Sequence, residues 1–194
     1  MRENLHLAMT EPTEQLMDCC KQSDTDAFRQ IVKRHQGYAF ALAFRILCES
    51  EDAKDVVQES FIRVWTHRAE YHADVKFTTW LYKIVVNLCY DRLRAKQRRE
   101  KMFLRQDDRM GEPTEMHSDN PEELAVNRDL AERILHLAAK LPEKQRIVFT
   151  LRDIHDQTIE EVAAIVGISP ESVRTNLCYA RAAIRTRLEG MRKE

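Results

Sequence analysis

The chain has 194 residues, 43% of them hydrophobic and 32% charged, which allows one large or two small folded domains and excludes disorder throughout. Only four glycines and five prolines are present, and apolar residues recur at spacings of three and four without strand-like alternation, so the fold class expected is all-α. The net charge of −1 does not by itself suggest nucleic acid. No apolar run approaches the roughly 20 residues of a membrane span, and the opening MRENLHLAMTEP lacks the apolar centre of a signal peptide, so a cytoplasmic location with no direct membrane insertion is expected.

Taken in chain order, a first helix is predicted from Ser23 as N-cap to about Cys48, with Phe28, Ile31, Val32, Tyr38, Ala39, Leu42 and Ile46 along one broad inward face. A second starts near Ser50 and turns Ala53, Val56, Val57, Phe61 and Val64 inward. Its other face carries Asp52, Asp55, Gln58, Glu59 and Ile62, an acidic and amide-bearing stripe with an isoleucine set in it. Such a stripe is either a solvated face or a docking surface for a basic partner helix. The polar loop from His67 to Lys76 follows, with Tyr71 and two histidines, and offers a place to hold an unstacked base.

A third helix begins near Phe77 or Thr78, with Trp80, Leu81, Ile84, Val85 and Leu88 inward and Lys83, Val86, Asn87, Tyr90 and Arg94 on the opposite face. Amide, aromatic and basic groups in one stripe suit a single nucleic-acid strand, because cations meet phosphate while flat groups stack on bases. A solvated helix with a basic tail is the plainer reading of the same residues. Charge is then sorted along the chain. Arg92, Arg94, Lys96, Arg98, Arg99, Lys101 and Arg105 dominate residues 91–105, and from Gln106 to Glu123 the sign reverses through Asp107, Asp108, Glu112, Glu115, Asp119, Glu122 and Glu123. Together with Gly111, Pro113 and Pro121 this stretch reads as an acidic, flexible linker.

The segment from Leu141 to Leu188 spells a helix-turn-helix ending in a basic helix. Ile159 to Val166 can form a short helix, Gly167 can take the positive φ at its end, and Ser169 caps a second helix with Pro170 at its first position. Val162, Val166, Ile168 and Val173 fall where the two helices must pack, Ala163 permits close approach, and Leu177 takes over where Asn176 interrupts the apolar series. Duplex DNA is the ligand this grammar suggests.

The five cysteines (Cys19, Cys20, Cys48, Cys89 and Cys178) are an odd number without a C-x-x-C pair, which argues against a disulfide framework and a zinc ribbon. A structural role for Cys19 and Cys20 stands beside a metal or redox role near His35. With no nucleotide-binding glycine loop, no metal-ligand pattern and no nucleophile with an evident partner, no catalytic residue, no cofactor and no enzyme activity are expected.

Three ordered motifs, DVVQESFIRVW (Asp55 to Trp65), FTTWLYKIVVN (Phe77 to Asn87) and LPEKQR (Leu141 to Arg146) ahead of the helix-turn-helix, together resemble an ECF (extracytoplasmic function) sigma factor of the sigma-70 family. The resemblance runs from Asp24 to Leu188. It implies two small helical domains, residues 23–105 and 122–194, joined by a linker at 106–121 and preceded by an N-terminal extension at 1–22, the second domain being a winged-helix-like four-helix unit with the helix-turn-helix. It also implies that Asp52, Asp55, Gln58 and Glu59 dock on the clamp helices of the bacterial RNA polymerase core with Ile62 in the interface. Tyr71, Lys83, Asn87, Tyr90, Arg94, Arg98 and Arg99 become candidates for the minus-ten element, where the loop before the helix would capture a flipped base. Ser172, Arg174, Thr175, Asn176 and Arg181 would face the minus-thirty-five element of promoter DNA in the major groove, with Arg174 the foremost base reader.

In this family the linker threads through polymerase channels, where negative charge would mimic a phosphate backbone; a soluble tether is the simpler role for it. An anti-sigma factor is implied as a second partner. Asn176 and Cys178 stand where relatives often carry basic residues, which bears on promoter sequence. Two rival readings are a stand-alone helix-turn-helix regulator that binds DNA without polymerase and a decoy that binds an anti-sigma factor without initiating. The first two motifs argue against the former, since a sensor domain has no reason to carry them.

Overall fold

The computed structural model describes residues 12–103 and 125–191. Among these residues the chain is helical throughout, with eight α-helices and no strand. Helices α1 (Thr13–Lys21), α2 (Thr25–Leu47), α3 (Ser50–Thr66) and α4 (Phe77–Phe103) form a first bundle, and α5 (Ala125–Ala139), α6 (Glu143–Phe149), α7 (Ile159–Val166) and α8 (Pro170–Met191) form a second. The acidic stretch read as a linker lies outside the described residues.

Local chemistry sets the helix ends. Asp24, not Ser23, is the N-cap of α2: its carboxylate accepts from Asp26 N and Ala27 N, while Ser23 sits at φ 68° in the turn from α1. A carboxylate at the positive end of a helix is favoured by both hydrogen bonding and the helix dipole. Glu49 caps α3 in the same way, accepting from Glu51 N and Asp52 N. Helix α1 falls within the segment read as an N-terminal extension, and it packs on α2 with Leu16, Met17 and Cys20 buried.

The core of the first bundle is built from Ile31, Leu42 and Ile46 of α2, Val56, Phe61 and Val64 of α3, and Leu81, Val85 and Leu88 of α4, all buried as their helical spacing predicts. Tyr38 departs from its predicted inward place and is 64% exposed, because its neighbours Ala39 and Leu42 take the inward positions at that level of α2. Val86 departs the other way. It lies on the face of α4 predicted to be open, yet it is fully buried together with Tyr82 and Cys89 on one stripe, because α4 packs on α7 of the second bundle as well as on α2 and α3.

In the second bundle, Thr158 and Glu161 form a reciprocal capping box at the start of α7. Gly167 ends α7 at φ 73°, and Ser169 Oγ accepts from Ser172 N at the start of α8. Val162, Val173 and Leu177 are buried, Ala163 nearly so, and Val166 and Ile168 are half-buried against them, as the sequence pattern requires. No described helix is long and apolar enough to cross a membrane.

Candidate polymerase and nucleic-acid interfaces

Helix α3 holds its acidic stripe outward because Val56, Phe61 and Val64 are committed to the core. Asp55 and Gln58 are exposed, Asp52 and Glu59 are half-exposed, and Ile62 is 53% exposed. The stripe is not bare. Arg92 of α4 reaches across with its guanidinium 3.7 Å from Asp52 and 3.6 Å from Asp55, and Glu59 accepts from Arg63 Nε at 3.0 Å. Contacts this long between exposed groups contribute little, so Arg92 leaves the stripe free to exchange its cation for another.

Ile62 is one lip of a wider feature that the sequence reading missed. Phe28, Val32 and Phe40 of α2 with Val57, Phe61, Ile62 and Trp65 of α3 line an open groove of about 770 Å³. Phe28 and Trp65 pack at 4.9 Å between ring centroids, and Arg68 lies over the Trp65 ring at 4.3 Å. The polar edge of the groove is Gln36, Gln58 and Lys54, and the carboxylates of α3 lie outside it, so an apolar helix face suits the groove while basic residues suit the stripe beside it.

On α4 the spacing places Lys83, Asn87, Tyr90, Arg94 and Arg98 along one side, with Lys83, Asn87, Arg94, Arg98 and Arg99 exposed. Tyr90 is half-buried, and Arg94 lies 5.9 Å from its ring centroid. The result is a strip in which an amide and an aromatic edge lie between cations, the combination that holds a displaced single strand. Tyr71 is not displayed beside it. It is 1% exposed, packs on Phe77 and Trp80, and donates its hydroxyl to Val75 O at 2.9 Å. Burial pushes the Tyr71 hydroxyl up to about 12, and the residue shapes the loop from within while His72, Asp74, Val75 and Lys76 carry its outer surface.

On α8, Arg174 and Thr175 are exposed, and Ser172 and Asn176 are half-exposed. Among the described residues Arg174 pairs only with Glu160, at 3.8 Å, which leaves its guanidinium largely available. Asn176 donates Nδ2 to Ser172 O at 2.8 Å, which uses one of its hydrogens and leaves the other with its carbonyl oxygen. Arg181 is committed differently. Its Nε and Nη2 donate to the two oxygens of Asp153 at 2.8 and 2.6 Å, a forked pair that ties α8 to the π turn Thr150–Ile154 and raises the Arg181 pKa. Tyr179, 61% exposed on the same helix, was not singled out from sequence, because it follows the motif without belonging to the polar series.

Among the described residues no group of three or more His, Cys, Asp and Glu side chains is placed to hold a metal ion. Cys19 is exposed and Cys20 is buried, and burial, with Asp24 adding to it, pushes the Cys20 thiol up to about 11. The thiolate is the reactive form, so Cys20 is protected while Cys19 is open to solvent.

Comparison with known proteins adds a separate line of support. Residues 31–99 match the family described as Sigma-70 region 2, and residues 131–184 match the one described as Sigma-70, region 4. The ECF RNA polymerase sigma factor SigW of Bacillus subtilis is 32% identical over 177 residues, covering 88% of this chain and 94% of that protein. The ECF RNA polymerase sigma-E factor of Escherichia coli K12 is 31% identical over 180 residues, covering 90% and 93%. Among solved structures, CnrH in complex with the cytosolic domain of CnrY superposes with a TM-score of 0.63 at 27% identity, over 90% of this chain and 96% of that one. The sigma factor RpoE of Bartonella quintana, crystallised with the anti-sigma factor NepR, shares the fold with a TM-score of 0.67 at 20% identity, over 84% and 96%. The chain belongs to the sigma-70 family, within its ECF RNA polymerase sigma factors.

Proposed function

We infer that this chain is the initiation subunit that binds bacterial RNA polymerase core and directs it to promoters, opening the DNA as it does so. The observation that carries this reading is the presence, on one chain, of three surfaces of different chemistry: the acidic and apolar face of α3, the cationic and aromatic strip of α4, and the exposed polar face of α8. In this reading α3 and its groove dock on the polymerase clamp, α4 and the preceding loop hold the non-template strand of the minus-ten element, and α8 reads the minus-thirty-five element as duplex. The relatives named as sigma factors support that assignment, and the stand-alone regulator is not favoured, because it leaves the docking face without a role.

The protein does no covalent chemistry in this account and works in the cytoplasm beside polymerase. Its contribution is binding energy. Separating a stacked base pair costs on the order of 1.4 kcal/mol per step, and stacking a displaced base on an aromatic surface returns about 1–3 kcal/mol. Trapping even a few bases on α4 therefore offsets much of the cost of opening.

An anti-sigma factor is a second partner on this reading, supported by the two related structures, which hold CnrY and NepR. The test is run-off transcription with purified core polymerase on a library of genomic fragments. New transcripts sharing paired upstream motifs at fixed spacing are expected when the chain is added. Core binding without transcripts would favour the decoy, and no core binding would reject the assignment.

A further inference from the structure

A second cleft, of about 810 Å³, lies where α2, the start of α4 and the end of the π turn meet, and its size is that of a small-molecule site. It shares Gln36 and Gly37 with the apolar groove and none of the residues assigned above to core docking or DNA. Among the described residues its lining is cationic. Lys33, Arg34 and Arg45 of α2 are set against one carboxylate, Asp156, whose side chain is 99% exposed and pairs with Arg152.

Three polar atoms of this lining are buried without a hydrogen-bond partner: Arg45 Nε, His155 Nε2 and Gln157 Oε1. Leaving a buried polar group unpaired costs more than a typical hydrogen bond contributes, so three in one cleft need a cause. The π turn brings two of them there, because the chain leaves it through Asp156 at φ 53° and turns back to bond Gln157 N to Leu151 O at 3.0 Å. Such irregular turns recur at functional sites.

The three atoms specify what would satisfy them. Arg45 Nε is a donor on a side chain with no ion pair among the described residues, and burial lowers its pKa, the mark of a cation short of an anion. His155 meets Tyr82 edge to face at 5.4 Å, and its Nδ1 lies 3.3 Å from the Tyr82 hydroxyl. With that hydroxyl as donor, the neutral ring carries its proton on Nε2, a second donor. Gln157 is the complement: its Nε2 donates to His155 O at 2.9 Å, and its Oε1 is left as an acceptor. Tyr38 adds a flat surface, since its ring lines the same cleft and is 64% exposed. Inorganic phosphate would answer the two donors but would leave most of the space empty and Tyr38 bare.

We propose that this cleft binds a nucleotide, with phosphate oxygens accepting from Arg45 Nε and His155 Nε2, a sugar hydroxyl or base N–H donating to Gln157 Oε1, and the base lying on Tyr38. Phosphate charge meets the surplus of cations, and the ring covers an aromatic face that is otherwise left to water. The site gives the chain a small-molecule input at a place separate from its polymerase and promoter surfaces.

The experiment is isothermal titration calorimetry with thermal unfolding of the full chain, using AMP, GMP, ATP, GTP, adenosine, guanosine and inorganic phosphate at one ionic strength. At least one nucleotide is expected to bind one to one, about tenfold or more tighter than phosphate or its nucleoside, and to raise the thermal midpoint. Arg45→Met replaces an unpaired buried cation with an apolar chain. It is expected to raise the midpoint of the unliganded protein while weakening the nucleotide about tenfold or more, whereas a purely structural Arg45 would lower that midpoint. Tyr38→Ala, at an exposed position, keeps the fold and is expected to erase the preference for nucleotide over phosphate.

No binding of any nucleotide at millimolar concentration overturns the proposal, as do equal affinities for nucleotide and phosphate, or nucleotide binding that neither variant changes. A short DNA strand that binds far more tightly than any mononucleotide, and does so through Arg45, would assign the cleft to nucleic acid and overturn the small-ligand site.

Discussion

Arg174 and Arg181 show how two arginines about two turns apart on one side of α8 come to different uses. Among the described residues Arg174 has a single long contact, with Glu160, which its fork can exchange for a base edge. Arg174→Ala is expected to relax discrimination between upstream sequences by about 1–3 kcal/mol, the value of one bidentate arginine–guanine contact; unchanged discrimination in competition binding of holoenzyme would reject it as a base reader. Arg181 is held by Asp153 in a forked pair, and its loss is expected to lower thermal stability before it alters selectivity. That pairing was not legible in the sequence, because Asp153 lies 28 positions away and becomes a neighbour only when α8 folds back on the π turn. Tyr71 is the same lesson in reverse: an aromatic residue in a polar loop reads as a displayed ring, but packing with Phe77 and Trp80 takes it inside. Asn87, exposed where the spacing placed it, should be dispensable for core binding yet needed for opening. An Asn87→Ala holoenzyme with wild-type permanganate reactivity at promoter thymines would remove that role.

At the scale of elements, the helix-turn-helix was the most legible part, since each of its boundaries has a local cause. Gly167 ends α7 at φ 73° with open space around its α-carbon, so Gly167→Ala should cost only the backbone strain of a left-handed conformation, roughly 1–2 kcal/mol. A thermal midpoint equal to wild type would contradict this. The start of α2 was placed one residue early because Ser23 and Asp24 are both good caps, and only the folded turn shows that the Asp24 carboxylate, and not the Ser23 hydroxyl, reaches the amides. Helix α3 carries the docking test. Asp55→Ala with Gln58→Ala removes two exposed groups and leaves Val56, Phe61 and Val64 in the core, so core affinity should fall while the melting transition stays in place; equal affinity would sink the docking assignment. The groove beside Ile62 escaped the periodic reading because Phe28, Val32 and Val57 were counted as core, and half-burial looks the same as full burial in a pattern of apolar spacings.

At the scale of the whole molecule, the contact between bundles left no trace in the sequence beyond Val86, an apolar residue on a face that was otherwise polar. His155 gives that contact a pH dependence. Burial, with Arg45 adding to it, lowers the His155 pKa to about 4, while an unburied histidine titrates near 6.5. The groups around it are Arg45 of α2, Tyr82 of α4 and Asp156 beside it, with Lys33, Arg34 and His35 lining the same cleft. Because the exposed ring takes up a proton more readily than the buried one, the contact between bundles is fully stable above pH 6.5 and loses stability as pH falls from there toward 4. Acid should therefore expand the chain in this window, and His155→Gln should flatten the response; an equal response in the variant would assign it to other groups. On polymerase the three surfaces are expected to open DNA by acting together. Permanganate mapping of a promoter recovered by run-off transcription tests it most directly, with core alone, this protein alone, and both. Reactive thymines at the minus-ten element only when both are present are the predicted result, and a promoter that stays closed with both bound would contradict the account.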